Sequence, residues 1–322
     1  MAVEGELGSA LALPRADGLS ARLRAYWWVA RWGIFAGALV YCALVLSGNA
    51  NYFATEQPLL MGDGAAYYFS DTPYDWSDRP AGSGEYRYSP AFLIAIAPLR
   101  LLPWEAFVAV WFLAHIAVLL YLRLPWMLVL PFVMEDALWG NINIFLALAV
   151  VLIVRRTGAP LWSAVLLTKV TPGVAAVWHL GRREYREFAW ALAITAIVLG
   201  IGFALDPQLW SEWFRSLAAG PQTYPATIGL AVPLPVRMAL AAILSVYAAT
   251  SNRPWLLPIG VILAMPGIWP HTFALLVASV ALYRGSELEV LEPLAMVGRD
   301  LVPVPVAAGT PLVLNSRSSI RK

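Results

Sequence analysis

The chain has 322 residues, of which 60% are hydrophobic and only 13% are charged. This composition excludes an ordinary soluble domain and predicts an all-α membrane protein, a polytopic bundle of transmembrane helices. Cys42 is the only cysteine and lies in an apolar stretch, which excludes disulfides and cysteine-based metal sites. The net charge of +2 means little by itself, and we expect no metal, cofactor or nucleic-acid partner.

Apolar stretches recur along residues 25–283, and about 20 mostly apolar residues are enough for one straight span of a bilayer. The first span covers residues 26–47, and its apolar run is too long for a cleavable signal peptide. Basic residues collect on the cytoplasmic side of membrane proteins. The N-terminus is therefore predicted to lie inside, because basic residues precede the first span: Arg15, Arg22 and Arg24.

An acidic and aromatic loop is predicted to follow on the outer face, between Gly48 and Arg87. Only Arg79 and Arg87 offset its acids, which are Glu56, Asp63, Asp71, Asp75, Asp78 and Glu85. Its aromatic side chains offer flat faces that can stack on a sugar or line a lipid entrance. Charge placed between long apolar stretches, in a loop at the membrane surface, predicts a reaction site.

The next spans alternate across the membrane. Residues 89–102 return to the inner face, and residues 104–122 lead out again. The chain then comes back inside through residues 125–156, a segment whose interruption is predicted near Glu135, Asp136 and Gly140.

Residues 161–180 have the length of one span, yet the arginines before and after them both belong on the inner face. Lys169 and Pro172 interrupt this stretch. We therefore expect two half-helices that dip into the membrane and return, an arrangement tolerated where protein or water covers the backbone.

Residues 188–205 exit to an outer loop, residues 234–249 re-enter, and residues 255–283 form a final hairpin with His271 at its outer tip. The outer loop carries aromatic residues that suit a membrane interface: Trp210, Trp213 and Tyr224.

Three parts of the chain follow from this pattern. Residues 25–284 form the transmembrane domain, whereas residues 1–24 and 285–322 lack a core pattern and are expected to be cytoplasmic, largely disordered tails.

Short polar and aromatic motifs occur in a fixed order along these segments. They are Asp63 with Tyr67 four residues on, Pro73-Tyr74-Asp75, Tyr86-Arg87-Tyr88-Ser89-Pro90, Gly140-Asn141-Ile142-Asn143, Lys169-Val170-Thr171-Pro172 and Trp269-Pro270-His271. In this order and spacing, from about residue 41 to 283, the chain resembles glycosyltransferase family 87, the polyprenyl-phosphate-sugar-dependent membrane glycosyltransferases of the GT-C superfamily. It departs from the family pattern at Asn141, where glutamine is usual, at Ser89, where proline is common, and in its shorter length.

The resemblance implies a GT-C helix bundle with broken or re-entrant helices and a functional first outer loop. It implies an enzyme that transfers a hexose, with mannose favoured, from a polyprenyl-phosphate sugar to a hydroxyl of a lipid or glycan acceptor. The transfer would invert the anomeric configuration and take place on the extracytoplasmic face of the plasma membrane, in cell envelope biosynthesis, with both termini in the cytoplasm.

Such a donor already carries a phosphate leaving group, so neither a nucleotide site nor a metal is required. One carboxylate then suffices as the general base that removes the acceptor proton. Asp63 is the candidate base. The candidate residues for binding the donor phosphate and the substrates are Lys169, His271, Arg87, Tyr67, Tyr88 and Asn143.

Other interpretations of these residues stay open. Asp63 could be a solvated loop acid, and Lys169 could reach the interface or pair with Asp136. His271 could be an ordinary loop histidine. Asn141 and Asn143 fit hydrogen bonds between helices better than substrate contacts.

Two further histidines, His115 and His179, are interpreted as structural because each lies in an apolar run without a nearby polar cluster.

The rival function is a polytopic transporter or lipid flippase, for which broken helices and an intramembrane lysine are also typical. Internal repeats would favour it, and none is convincing. The short length also allows a scaffold without catalytic activity.

Overall fold

The computed structural model of the protein describes residues 16–50, 61–69, 73–74, 86, 88–155, 158–218 and 232–284. These residues form helices and connecting turns, without a β-strand. The α-helices are α1 (Ala16–Ala50), α2 (Gly62–Tyr68), α3 (Pro90–Ile96), α4 (Trp104–Tyr121), α5 (Pro131–Trp139), α6 (Asn143–Val154), α7 (Trp162–Thr168), α8 (Trp178–Gly181), α9 (Tyr185–Leu205), α10 (Pro207–Ala218), α11 (Leu234–Thr250), α12 (Leu257–Leu263) and α13 (276–284). Short 3-10 helices join several of them: Ala97–Leu101, Pro125–Val129, Ala159–Leu161, Thr171–Val177, Pro254–Leu256 and Pro270–Leu275.

Three of the described helices are long and apolar enough to cross a membrane. The qualifying segments are Tyr26–Val45, Trp104–Tyr121 and Tyr185–Leu205, and the pair α5 and α6 becomes a fourth if it counts as one bent span. The prediction of a helical membrane protein is thereby confirmed. Helix α1 begins at Ala16, within the segment assigned to the N-terminal tail, whereas the predicted tail beyond Arg284 lies outside the described residues.

The predicted interruption near Gly140 is present. Helices α5 and α6 meet there at an angle of 110°. Gly140 has a φ of +68°, and a Cβ atom at this position would lie 2.8 Å from the Met61 Cε atom and 3.2 Å from the Gly64 backbone nitrogen. Glycine is therefore required both by the backbone conformation and by the close approach of α2.

The second predicted interruption is also present. Helix α7 ends at Thr168, Lys169 is extended, and the chain continues as a 3-10 helix from Thr171 to Val177. Proline at the second position of that 3-10 helix accounts for the break, because Pro172 lacks the backbone N–H that a continued α7 would need and its ring would clash with the Thr168 carbonyl group.

The segment after residue 206 differs from the predicted outer loop. Residues Pro207–Ala218 form helix α10, whose apolar side buries Trp210 and Trp213. Trp210 packs directly on α9, where a Cβ atom at Gly202 would lie 2.8 Å from the indole ring. The large apolar residues of this segment recur at helical spacing, and this periodicity favours a helix despite the polar residues between them.

Candidate active site

Helix α2 brings Asp63 to the break between α5 and α6. The backbone N–H of Met61, just before α2, donates a hydrogen bond of 2.8 Å to the Leu138 carbonyl near the end of α5. Met61 is completely buried and adopts a φ of +56°. The anchored turn fixes the start of α2, and with it the half-buried side chain of Asp63.

Asn141, in the turn after Gly140, links two of the predicted site residues. Its Nδ2 atom donates hydrogen bonds to Asp63 Oδ2 at 2.5 Å and to His271 Nε2 at 3.1 Å. Its Oδ1 atom accepts the backbone N–H of Ile142 at 2.7 Å. Because an amide NH₂ group has two hydrogens and a carbonyl oxygen only accepts, these contacts fix the orientation of the amide and use both of its hydrogens.

This arrangement determines the protonation of His271. Since Nε2 accepts a hydrogen bond from Asn141, the imidazole is neutral and carries its hydrogen on Nδ1. Nδ1 faces Glu135 Oε1 at 3.6 Å, beyond hydrogen-bond distance. The Trp269 ring lies parallel to the His271 ring, with centroids 6.1 Å apart.

The environment of Asp63 opposes its ionised form in one respect and favours it in two. Burial raises the pKa of the Asp63 carboxyl group, whereas the hydrogen bond from Asn141 and the charge of Lys169 lower it, and the net direction is upward. A carboxylate with a raised pKa is a stronger proton acceptor than a free aspartate.

Lys169 lies in a second, adjoining network. Its Nζ atom donates a hydrogen bond of 3.0 Å to Asn143 Oδ1. Asn143 Nδ2 donates to Asp136 Oδ1 at 2.8 Å and, more weakly, to the His271 carbonyl at 3.3 Å. Lys169 thus reaches Asp136 through Asn143, and the same asparagine joins the lysine to the segment that carries His271.

Asp136 has a structural task as well. Its Oδ2 atom accepts the backbone N–H of Ile144 at 3.0 Å, in the first turn of α6. A carboxylate at this position satisfies an N–H group that the helix leaves unpaired and interacts favourably with the helix dipole. Asp136 is fully buried and Glu135 is partly exposed, so the two neighbouring acids face different surroundings.

The interpretation of His115 and His179 as remote from polar groups was wrong. His115 contacts the Trp111 and Asn141 carbonyls, each at 2.8 Å, and its Nε2 atom lies 3.7 Å from Asp136 Oδ2. His179 Nδ1 lies 2.9 Å from Glu184 Oε2. Of these partners, Asn141 and Glu184 lie in the short connections after α5 and α8, which an apolar run in the sequence does not reveal.

Tyr67 and Tyr88 belong to an aromatic cluster beside Asp63. Tyr67 is completely buried, and its hydroxyl group donates to the Tyr88 hydroxyl at 3.0 Å. The Tyr88 ring centroid lies 5.9 Å from Lys169 Nζ. Ser89, next along the chain, donates a hydrogen bond to the Leu167 carbonyl and so holds this cluster against the end of α7.

The structure therefore gathers most of the predicted residues around Asn141 and Asn143. Among the described residues, no group of three or more histidine, cysteine or carboxylate side chains could hold a metal ion. Arg87 lies outside the described residues, as do Asp71, Asp75 and Asp78.

Sequence reasoning missed two features of the site. The role of Asn141 as a link between Asp63 and His271 depends on contacts across 78 and 130 residues, which no local pattern contains. The approach of Glu135 to His271 also depends on the tertiary fold, although a carboxylate in an apolar segment is itself a signal of function.

The profile of glycosyltransferase family 87 matches residues 86–297, about two thirds of the chain. The chain belongs to glycosyltransferase family 87. No curated protein and no solved structure matched it. This family 87 protein is a glycosyltransferase, which implies a sugar donor and an acceptor.

The match extends over both asparagines, Lys169 and His271, but it begins after Asp63. The connection of Asp63 to this family 87 site therefore rests on its hydrogen bond to Asn141.

Proposed function

We propose that the protein is a GT-C glycosyltransferase that moves a hexose, with mannose favoured, from a polyprenyl-phosphate sugar to a hydroxyl group of a lipid or glycan acceptor, with inversion. The observation that supports this most is the Asn141 amide, which joins the half-buried Asp63 carboxylate to the family's late histidine. Asn143, two residues further on, holds Lys169 close by. The cluster thus offers one base and one cation.

Asp63 acts as the general base. The acceptor oxygen attacks the anomeric carbon, the bond from that carbon to the phosphate oxygen breaks, and the acceptor proton passes to the Asp63 carboxylate. One Asn141 hydrogen is bonded to the Oδ2 atom of Asp63 and the other to His271, so Asn141 has no hydrogen for the Oδ1 atom of Asp63. The Oδ1 atom is therefore the one that takes the proton.

Lys169 stabilises the leaving group. The donor phosphate is a diester with one negative charge, and it leaves as a monoester with an additional charge. Lys169 Nζ has three N–H donors and uses one for Asn143 in the described structure, so donors remain for a phosphate oxygen. A fixed cation aimed at charge that develops during the reaction lowers the barrier. No metal is needed for this step.

The part of His271 differs from the expected direct contact with phosphate. A neutral imidazole whose Nε2 atom accepts from Asn141 is not a cation, and its Nδ1–H faces Glu135. We assign His271 the task of orienting Asn141, which in turn orients Asp63. Tyr88 lines the phosphate side next to Lys169, whereas the buried Tyr67 holds Tyr88 in place.

The reaction is placed on the extracytoplasmic face of the plasma membrane. Basic residues support this orientation, because they precede the first predicted span, residues 26–47, and follow α6 and α8, on the sides opposite Asp63. Both termini then lie in the cytoplasm.

The test is a transfer assay with purified protein in lipid discs. Radiolabelled polyprenyl-phosphate sugars are offered with a lipid extract as acceptor, and nucleotide sugars are offered in parallel. We expect label to pass to the acceptor only from the lipid-linked donors, with product of inverted anomeric configuration by NMR. Transfer from nucleotide sugars alone, or retention of configuration, would overturn the proposal.

A transport assay separates the rival function. Protein in sealed vesicles is tested for movement of the same labelled donor between leaflets without an acceptor. The family assignment leads us to expect no movement above protein-free vesicles.

A further inference from the structure

Arg237, in the first turn of α11, is a buried arginine without a carboxylate partner among the described residues. Its guanidinium group instead donates to backbone carbonyl groups. Nε donates to Val232, Nη1 to Leu263 and Met265, and Nη2 to Pro266, at 3.2, 3.2, 2.7 and 3.1 Å. An arginine is costly in an apolar region unless its donors are satisfied, so this set of contacts calls for a functional explanation.

Three of these carbonyls lie where α12 ends and the chain turns toward His271. The last carbonyl groups of a helix have no partner within the helix, and a cation near them interacts favourably with the helix dipole. The planar guanidinium group can bond Leu263, Met265 and Pro266 at the same time because its N–H groups point in fixed directions. Arg237 therefore fixes both the end of α12 and the first residues of the turn.

A second contact holds the same turn. The hydroxyl group of Thr171, two residues after Lys169, donates to the Ala264 carbonyl at 2.5 Å. Beyond the turn, the Trp269 N–H donates to the Thr272 hydroxyl group at 3.0 Å, and this contact encloses His271. The path from Arg237 to the site is thus short and hydrogen-bonded at each end.

We propose that Arg237 is a positioning residue of the active site: it holds the segment 263–266 so that His271 keeps Asn141 bonded to Asp63. This inference rests on the proposed function for its catalytic consequence. Arg237 acts through His271 and does not touch the substrates itself.

The kinetic test compares Arg237→Gln with the wild type in the transfer assay. A displacement of about 1 Å at a site can cost on the order of a hundredfold in rate. We expect kcat to fall by about tenfold to a hundredfold with an unchanged KM for the donor. Arg237→Lys should be intermediate, since a lysine keeps the charge but cannot bond the three carbonyls together.

A double-mutant cycle separates positioning from general damage. If Arg237 acts through His271, then Arg237→Gln should cost less than about twofold in a His271→Ala background. Losses that simply multiply would overturn the inference. Arg253→Gln, at an exposed position three residues beyond the end of α11, is the matched control and should leave kcat unchanged.

A third measurement does not depend on activity. Hydrogen–deuterium exchange of residues 264–272 should accelerate in Arg237→Gln and in the milder Thr171→Val, because each removes one restraint on this turn. Thr171→Val also serves if Arg237→Gln fails to fold. Unchanged exchange in both variants would refute the positioning role, whereas accelerated exchange in a protein without transferase activity would refute only the proposed function.

Discussion

Replacing Asn141 by aspartate tests the site at its centre with the smallest change of shape. The substitution puts an oxygen where Nδ2 now donates to Asp63 Oδ2 over 2.5 Å. Two ionised oxygens at that separation repel by about 7 kcal/mol at an effective dielectric constant of about 20, or about five powers of ten in proton affinity. Rotation of the side chains relieves part of this repulsion, and sharing one proton relieves most of the rest.

The expected result is a change in the pH dependence of transfer. Burial already raises the pKa of Asp63, so the wild-type rate should fall with acidification at a higher pH than a free aspartate would. A second carboxylate beside Asp63 raises the proton affinity of the pair further. In Asn141→Asp, we expect the acidic limb to move to higher pH and the rate at neutral pH to fall by about a hundredfold or more.

The control is Asn141→Gln, which keeps the donating amide and is the residue usual in the family pattern. Its rate should stay within about tenfold of the wild type with the same acidic limb, since only the position of the amide changes. Both variants are checked for insertion and donor binding. An Asn141→Asp enzyme with the wild-type rate and pH profile would show that the Asn141 contact does not govern the base.

Three further substitutions test the general base, the glycine at the helix break and the orientation in the membrane. Asp63→Asn should lower kcat by about a hundredfold to ten-thousandfold while donor binding persists. The control is Asp206→Asn, at an exposed helix cap where asparagine can replace aspartate, and it should retain the wild-type rate. Equal losses in the two variants would contradict the assignment of Asp63 as the base. Gly140→Ala should lower the free energy of unfolding by at least about 1–2 kcal/mol, measured by denaturant titration in detergent. An unchanged midpoint of the unfolding transition would contradict the conclusion that glycine is required at this position. Arg183→Cys should react with an impermeant thiol reagent only after the cells are opened. Labelling of this cysteine in intact cells would contradict the proposed orientation in the membrane.

The sequence was sufficient for the three long apolar helices and for both interruptions. Long apolar runs identify spans because lipid offers no partner to the backbone, and Gly140 and Pro172 mark breaks through their own backbone chemistry. Helix α10 was predictable but was missed. Its apolar residues recur at helical spacing, at positions Trp210, Trp213, Phe214 and Leu217, which a search for periodicity detects and a search for average hydropathy does not.

The sequence predicted which residues form the candidate site but not the contacts between them. The ordered motifs selected Asp63, Lys169 and His271, and hydrogen bonds through Asn141 and Asn143 bring these three residues together. They could not reveal that His271 is neutral, because its tautomer depends on which atom of Asn141 faces it. Such assignments need distances between groups that are remote in sequence.

The break at Gly140 also constrains how the protein can be inserted into the membrane. Helix α4 supplies the partners for its carbonyls: the Trp111 indole donates to Gly140 at 2.8 Å, and His115 Nε2 lies 2.8 Å from the Asn141 oxygen. In lipid, each carbonyl left without a partner would cost several kcal/mol. We therefore expect the two bent helices to be stable in a membrane only once α4 is docked against the break between them. On this expectation, two side chains one helical turn apart set the order of assembly.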